Sequence, residues 1–339
     1  MKREIILSHE SLSSKAIDRH QALRDYFCDK DASVTQVSEG WKLELYWPDG
    51  IDRHIDPRLA EGLRWWGGGI SLSMMSLAYR RQGLILETLY DTWTLHSWSE
   101  WLSRQSASDV ECVILHVDDH RDLASPRLIF GNANFLDAIT EDEFDLSDPR
   151  SVEASIISGA VGMGSFMTPF LHVYPNSEVR HLCQPPKVTQ TLDYKLNLTV
   201  DIDTLLQVGA ERPSISLSPL GPEEKFGKGC YRSTLVMEDW LSGLDRKDTR
   251  PIFLHIDMDY FNNRFDGDSD WSLSSTRLDP PNQEVIRQIE KFTAMLLKAE
   301  IGPRVVDVVI AYSPGFFPAE LWESASQKIQ QGLRLAGIR

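Results

Sequence analysis

Cysteine is scarce in this sequence and is never paired by spacing. The four cysteines, Cys28, Cys112, Cys183 and Cys230, suggest no disulfide framework, so thiols in a reducing cytoplasm are expected. No apolar run approaches the roughly 20 residues that a membrane span needs. The opening, Met1-Lys2-Arg3-Glu4-Ile5-Ile6-Leu7-Ser8-His9, holds too short an apolar stretch for a secretion signal. Positive charge is in deficit as well: 35 basic residues against 50 acidic ones give a net charge of −15. Such a surface repels nucleic acid and favours cationic partners. It also serves solubility, so the charge permits an arginine-bearing substrate without arguing for one. Internal repeats, low-complexity tracts and Gly/Ser linkers are missing too, and 339 residues suit one large α/β domain with extra loops.

What the chain does have is two acidic strand ends. The apolar run Val113-Ile114-Leu115 leads through His116-Val117 into Asp118-Asp119-His120-Arg121-Asp122-Leu123. A second run, Ile252-Phe253-Leu254-His255-Ile256, leads into Asp257-Met258-Asp259. Short apolar runs of this kind make buried parallel strands. Side chains at i and i+2 leave an extended segment on the same side, so each stretch can aim its ligands at one point. In an open parallel sheet, sites form just outside the carboxyl ends of strands, where both stretches would lie.

Elsewhere the pattern alternates between strand-like and helix-like segments. Residues 110–117, 128–130, 170–173, 195–200, 252–256 and 305–311 read as strands, and 284–297 as the clearest helix, with Asn282 as its cap. This alternation predicts a mostly parallel sheet flanked by helices. Residues 1–85 read differently. They offer a helix over 16–28, a two-stranded ribbon over 34–47 and a turn at Pro48-Asp49-Gly50. The glycines of Trp65-Trp66-Gly67-Gly68-Gly69-Ile70 precede a helix-like run over 72–78, as an anion-binding loop would. Without a lysine or a spaced fingerprint they read as a structural turn. The expected organisation is therefore an N-terminal extension over 1–85, packed on a catalytic domain over 86–339.

Asp-x-His-x-Asp plus a distant Asp-x-Asp supplies four carboxylates and one imidazole. That set suits Mn²⁺, with Mg²⁺ or Fe²⁺ fitting less well, whereas zinc would more often recruit histidine or cysteine. Two such cations about 3.5–4 Å apart can activate a bridging water. An isolated Asp-x-Asp reads as a capped turn; two acidic strand ends together point to metal. His116 and His255, inside apolar runs, read as core histidines or as partners of the ligands.

Asp118-Asp119-His120-Arg121-Asp122 and Asp257-Met258-Asp259 resemble the two metal motifs of the arginase/ureohydrolase superfamily. The words around them, with Ser313-Pro314-Gly315-Phe316-Phe317-Pro318, are similar to its UPF0489 branch, which includes the peptide arginases of ribosomal peptide maturation. The resemblance covers roughly residues 86–325. It implies a three-layer αβα arginase-like fold and two Mn²⁺ per chain. The reaction would convert arginine side chains in a precursor peptide to ornithine, with the peptide's arginine-containing core, with or without a leader, as partner. It also implies one more histidine ligand on a loop before the first motif. His96, followed by Ser97, lies 22 residues ahead of Asp118. By resemblance, His96, Asp118, Asp122 and Asp257 would hold one ion. Asp118, His120, Asp257 and Asp259 would hold the other, with Asp259 placed to orient the attacking hydroxide or take its proton.

Two departures stand out. The family's proton-shuttling histidine has no counterpart between residues 121 and 171; His172 and His181 come next and do not match in context. The glutamate that grips the guanidinium at the end of a late strand is also missing after Tyr312, with Glu320 the nearby substitute or else an ordinary helix-face acid. The small-residue loop 158–166 and the acidic turn Asp266-Gly267-Asp268 read as candidates for the rim of the pocket, with packed turn and solvated loop as their plain alternatives. A small-molecule guanidino hydrolase and a non-catalytic, metal-stabilised binding module are the rival functions.

Overall fold

Strand-forming apolar runs and a few buried ion pairs decide the architecture. The computed structural model describes residues 4–50, 54–105, 110–132, 134–244, 247–267, 270–273 and 278–339. The N-terminal extension begins with β1 (Ile5–Leu7), α1 (Ala16–Phe27), β2 (Asp31–Val37) and β3 (Gly40–Tyr46). These strands make a small antiparallel sheet in the order β1-β3-β2, and β2 and β3 are the expected ribbon. α2 (Leu59–Trp66) follows, closed at its C-terminus by Gly67, whose N–H donates to Leu63 O. Gly67, Gly68 and Gly69 all have positive φ, a conformation glycine adopts without strain. The triplet therefore acts as a helix stop and turn.

The chain then builds the main sheet from β4 (Tyr79–Gln82), β5 (Ile85–Thr88) and, after α3 (Trp93–Leu102), β6 (Val113–Val117). The β4–β5 hairpin spans the expected boundary at residue 85. β7 (Leu128–Phe130), β8 (Phe135–Asp137) and β9 (Glu143–Phe144) form a separate antiparallel sheet, followed by α4 (Pro149–Ser158) and α5 (Met167–Val173). Next come β10 (Glu178–Leu182), β11 (Leu192–Ile202), β12 (Glu211–Pro219), β13 (Cys230–Thr234) and α6 (Met237–Leu241). β14 (Ile252–Asp257), α7 (Asn282–Ala299), β15 (Val305–Ala311) and α8 (Trp322–Leu335) complete the chain.

The main sheet has nine strands in the order β12-β11-β13-β10-β6-β14-β15-β5-β4. Its six inner strands, β13 to β5 in that order, run parallel, while β12, β11 and β4 are antiparallel edges. Helices flank the sheet: Phe253 on β14 packs against Trp98 and Trp101 of α3 and Phe170 of α5, whereas α6, α7 and α8 pack on one another. This is a mixed α/β architecture compatible with three layers. From β6 the chain winds one way to β10 and β13; from β14 it winds the other way to β15. The sheet therefore reverses its winding between β6 and β14, where a crevice opens at the strand ends.

Several local expectations are corrected. Residues 170–173 are helical, because Pro169 sits in the first turn of α5, where its missing N–H costs nothing. Residues 128–130 belong to the small sheet. Asn282 is the first residue of α7; Pro281 precedes it without a side-chain cap. The central strands β10 and β13 carry charges that hid them. Arg180 on β10 is buried, but its Nε lies 2.5 Å from Glu178 and its guanidinium donates to Trp240 O and Ser242 O, so burial is tolerated. Cys112, Cys183 and Cys230 are buried thiols, and no helix among the described residues is long and apolar enough to cross a membrane.

The extension docks through polar anchors. Tyr26 OH donates to Asp203 at 2.5 Å, Arg127 donates to Tyr26 O at 2.6 Å, and Ala319 N–H donates to Asp56 at 2.7 Å. Asp29 accepts the Met163 N–H at 2.7 Å, and a Cβ on Gly162 would lie 2.5 Å from the Asp29 carboxylate. The small residues of loop 158–166 thus make room for the turn after α1. We expect Gly162→Ala to destabilise the protein by about 1–3 kcal/mol, the usual cost of overpacking. Thermal denaturation checks this, and an unchanged Tm would show that the loop is not tightly packed there.

Candidate metal centre

The same backbone device shapes both acidic strand ends. In β14 and β6, His255 pairs with His116 and Ile256 with Val117, so Asp257 and Asp118 emerge side by side at the crevice. Asp118 Oδ1 accepts the N–H of His120 at 2.5 Å, and Asp257 Oδ1 accepts the N–H of Asp259 at 3.1 Å. Each is a local turn in which an aspartate binds the backbone two residues on. The motifs also bind each other: Asp259 Oδ1 accepts the N–H of Asp119 at 3.1 Å, and Asp259 Oδ2 lies 2.9 Å from His120 Nδ1. Ser313, just beyond β15, donates to Asp257 Oδ2 at 2.5 Å.

Beneath the crevice runs a row of buried histidines on neighbouring strands: His181, His116 and His255. Their hydrogen bonds fix their tautomers. His181 Nε2 donates to Asp118 O at 3.0 Å and its Nδ1 accepts from Tyr231 OH at 2.8 Å. His116 Nε2 donates to His120 O at 3.0 Å, so its Nδ1 accepts from His255 Nδ1 at 2.9 Å. All three rings are neutral in this network, in agreement with burial lowering their pKa values. The row holds the backbone of the first motif in place.

Above the row the site is crowded with negative charge. Burial, then neighbouring carboxylates, pushes Asp118 and Asp257 well above the ordinary aspartate range. Asp91 is pushed up in the same way, by burial and then by Asp122, Asp257, Asp29 and Asp259. Burial opposes protonation of His120, but Asp259, Asp118 and Asp266 outweigh it and raise its pKa. Asp91 Oδ1, Asp118 Oδ2 and Asp122 Oδ2 are buried with no hydrogen-bond partner. Buried oxygens left unsatisfied beside one another are costly unless a cation meets them. His116, Asp118, Asp122 and His255 present ligand atoms within 4.8 Å of one another, as do Asp118, His120 and Asp259, and these buried groups could hold a metal ion.

A cavity of about 510 Å³ gathers Asp118, His120, Asp122, Asp257 and Asp259, together with Met163 and Gly164 of the small-residue loop. His96 does not reach it. That ring lies inside α3, 5.4 Å from Trp93 and 5.8 Å from Tyr79, an aromatic-cluster position in which burial lowers its pKa. The residue that the β5 end contributes is Asp91, which lines the cavity. A lone acid ahead of an apolar helix carries no pattern of its own in the sequence, and the histidine nearby is the more conspicuous ligand type. Glu320 also lies elsewhere. It pairs with Arg264 at 2.6 Å in a second cavity of about 450 Å³. His172 donates to Ser214 O at 2.8 Å and packs on Phe130 and Phe135. Asp266 faces His120 Nε2 at 3.3 Å, while Asp268 lies outside the described residues. The extension supplies Arg24, Asp29 and His54 to one wall of the first cavity.

No family model matches the chain, and no curated protein matches it. The site is therefore read from its own chemistry. Divalent cation should raise the Tm of the metal-free protein, since a ligand at a hundredfold its Kd stabilises by about 2.7 kcal/mol. Asp91→Asn and Asp257→Asn should act with opposite signs in the two states. Each raises the metal-free Tm by relieving repulsion and shrinks the cation-induced gain. Calorimetric scans with and without Mn²⁺ check this; a gain of wild-type size in both variants would remove these residues from the site.

Proposed function

We propose that this chain is a Mn²⁺-dependent amidinohydrolase of the arginase/ureohydrolase type, acting on an arginine side chain within a peptide to release urea and leave ornithine. The observation that carries the reading is the convergence of Asp118, His120 and Asp122 with Asp257 and Asp259 around one cavity at the reversal point of a parallel sheet. The donor set, carboxylates with one exposed-edge imidazole, suits Mn²⁺ better than zinc. Asp118 and Asp257 would hold metal at the centre of the group together with Asp91, Asp122, His120 and Asp259, and Asp91 would take the role expected of His96. When bound, the ions would supply Lewis acidity and a water acidic enough to react near neutral pH.

The chain's own residues supply the rest. Asp259 is buried at the cavity wall, with Oδ1 held by the Asp119 N–H and Oδ2 beside His120, a fixed position from which to take the proton of the attacking water. The water oxygen bonds to the guanidinium carbon, the bond from that carbon to the chain nitrogen breaks, and the nitrogen leaves as a protonated amine. Water and a guanidinium thus become urea and an ammonium group, with no redox change. Leu123, Met163 and Phe316 offer apolar contact for the side-chain methylenes. The acidic surface suits a cationic peptide rather than nucleic acid, and buried thiols suit a reducing cytoplasm.

The experiment offers Mn²⁺-loaded protein an arginine-containing peptide, free arginine and agmatine. We expect urea and a mass loss of CN₂H₂ with the peptide, and at least about 10²–10⁴-fold slower turnover in Asp259→Asn with the fold retained, since the variant loses both the proton acceptor and one carboxylate of the ligand set. Turnover of the free compounds alone would make the chain a small-molecule hydrolase. Absence of urea from all three would favour a metal-stabilised binding module.

A further inference from the structure

One acid of the first motif lies outside the metal group. Asp119 stands between Asp118 and His120, is buried, and does not line the main cavity. Its Oδ2 accepts from Asn263 Nδ2 at 2.8 Å and lies 2.8 Å from Lys187 Nζ. Both donors reach on to a second carboxylate. Asp266 Oδ1 accepts from the same Asn263 amide at 2.9 Å and lies 3.4 Å from the same Lys187 ammonium. Asn263 Oδ1 in turn accepts the Asp266 N–H at 3.0 Å. Asn263 and Lys187 therefore form a double bridge that fixes Asp266 against the first motif.

The third group at Asp266 Oδ1 is His120 Nε2, 3.3 Å away. His120 thus stands between two acidic surroundings. Its Nδ1 faces the metal group, 2.9 Å from Asp259 Oδ2 and 3.5 Å from Asp118 Oδ1, while its Nε2 faces Asp266. Phe316 packs edge-on against the ring at 5.4 Å. Asp119, His120 and Asp266 bring ligand atoms close enough to hold an ion of their own. The Lys187 ammonium already stands against both carboxylates there, so the chain supplies that cation itself. A neutral imidazole has one N–H and one lone pair. For Nδ1 to meet a cation, the proton must sit on Nε2, and a carboxylate that accepts it there fixes both the tautomer and the ring's direction.

We propose that Asp266 is a positioning residue for the metal centre: it accepts the Nε2–H of His120 and so leaves the Nδ1 lone pair to the cation, with Lys187 and Asn263 holding it in place from Asp119. This rests on the reading of the acidic group as a metal centre, and the test keeps the two apart.

Calorimetric titration of the metal-free protein with Mn²⁺ reads the effect without any turnover. Asp266→Ala should weaken Mn²⁺ binding about 10–100-fold. The metal-free Tm should change little, because the Asp266 side chain is 39% exposed. Asp266→Asn, which keeps an acceptor oxygen, should recover part of the loss. In a His120→Asn background, Asp266→Ala should cost about twofold or less, since its effect passes through the missing ring. A full loss in that background would reveal a general effect of charge or loop structure and overturn the assignment. Should Asp266→Ala fail to fold, ¹⁵N shifts of His120 in the wild-type protein loaded with diamagnetic Zn²⁺ decide: the proton must be on Nε2, and a proton on Nδ1 would refute the proposal. Tight Mn²⁺ binding that Asp266→Ala leaves unchanged would remove Asp266 and keep the metal centre. A wild-type protein that binds no Mn²⁺ would remove both. The expected affinities with no urea from any guanidino compound would sink the hydrolase reading and keep Asp266 in its role.

Discussion

Mutual repulsion among buried aspartates is the constraint around which this molecule is arranged. Asp91, Asp118, Asp122, Asp257 and Asp259 line one cavity, and three of them keep a buried oxygen without a hydrogen-bond partner. Unbalanced charge of this density opposes folding, and proteins keep it where a counter-ion repays the cost. The sheet supplies the force that holds the group together. Six parallel strands pair side by side, β6 and β14 at their centre are apolar up to the acidic ends, and the hydrophobic core around them outweighs the repulsion there.

Precision comes from a second layer. The histidine row on β10, β6 and β14 donates to the carbonyls of Asp118 and His120, while Ser313 and the Asp119 N–H fix single oxygens of Asp257 and Asp259. Each bond restrains a group that would otherwise move away from its neighbours. Support of this kind decides how well a metal site is preorganised. It also explains why His116 and His255 stand inside apolar strands: their neutral rings pair with each other and with the backbone.

The sequence made part of this legible. Acids at alternate positions after apolar runs identify Asp118, Asp122, Asp257 and Asp259 because local geometry alone puts them on one side of the chain. Short, nearly continuous apolar runs made β6, β14 and β15 readable. Asp91 escaped because a lone acid before an apolar helix carries no local pattern; only the pairing of β5 with β15 brings it to the crevice. β10 and β13 escaped because their charges are satisfied by partners far along the chain, such as Arg180 with Trp240. Asp29 reaches Met163 across 134 positions, a contact that no spacing rule reveals. Short-range chemistry was readable, and long-range closure was not.

The central claim is that Asp118 and Asp257 share divalent cations. Anomalous scattering from crystals grown with Mn²⁺ tests it most directly. The account predicts two manganese peaks between β6 and β14, with Asp118 and Asp257 contacting both. Crystals saturated with Mn²⁺ that show no peak there, or show ions bound only to other groups, would contradict it.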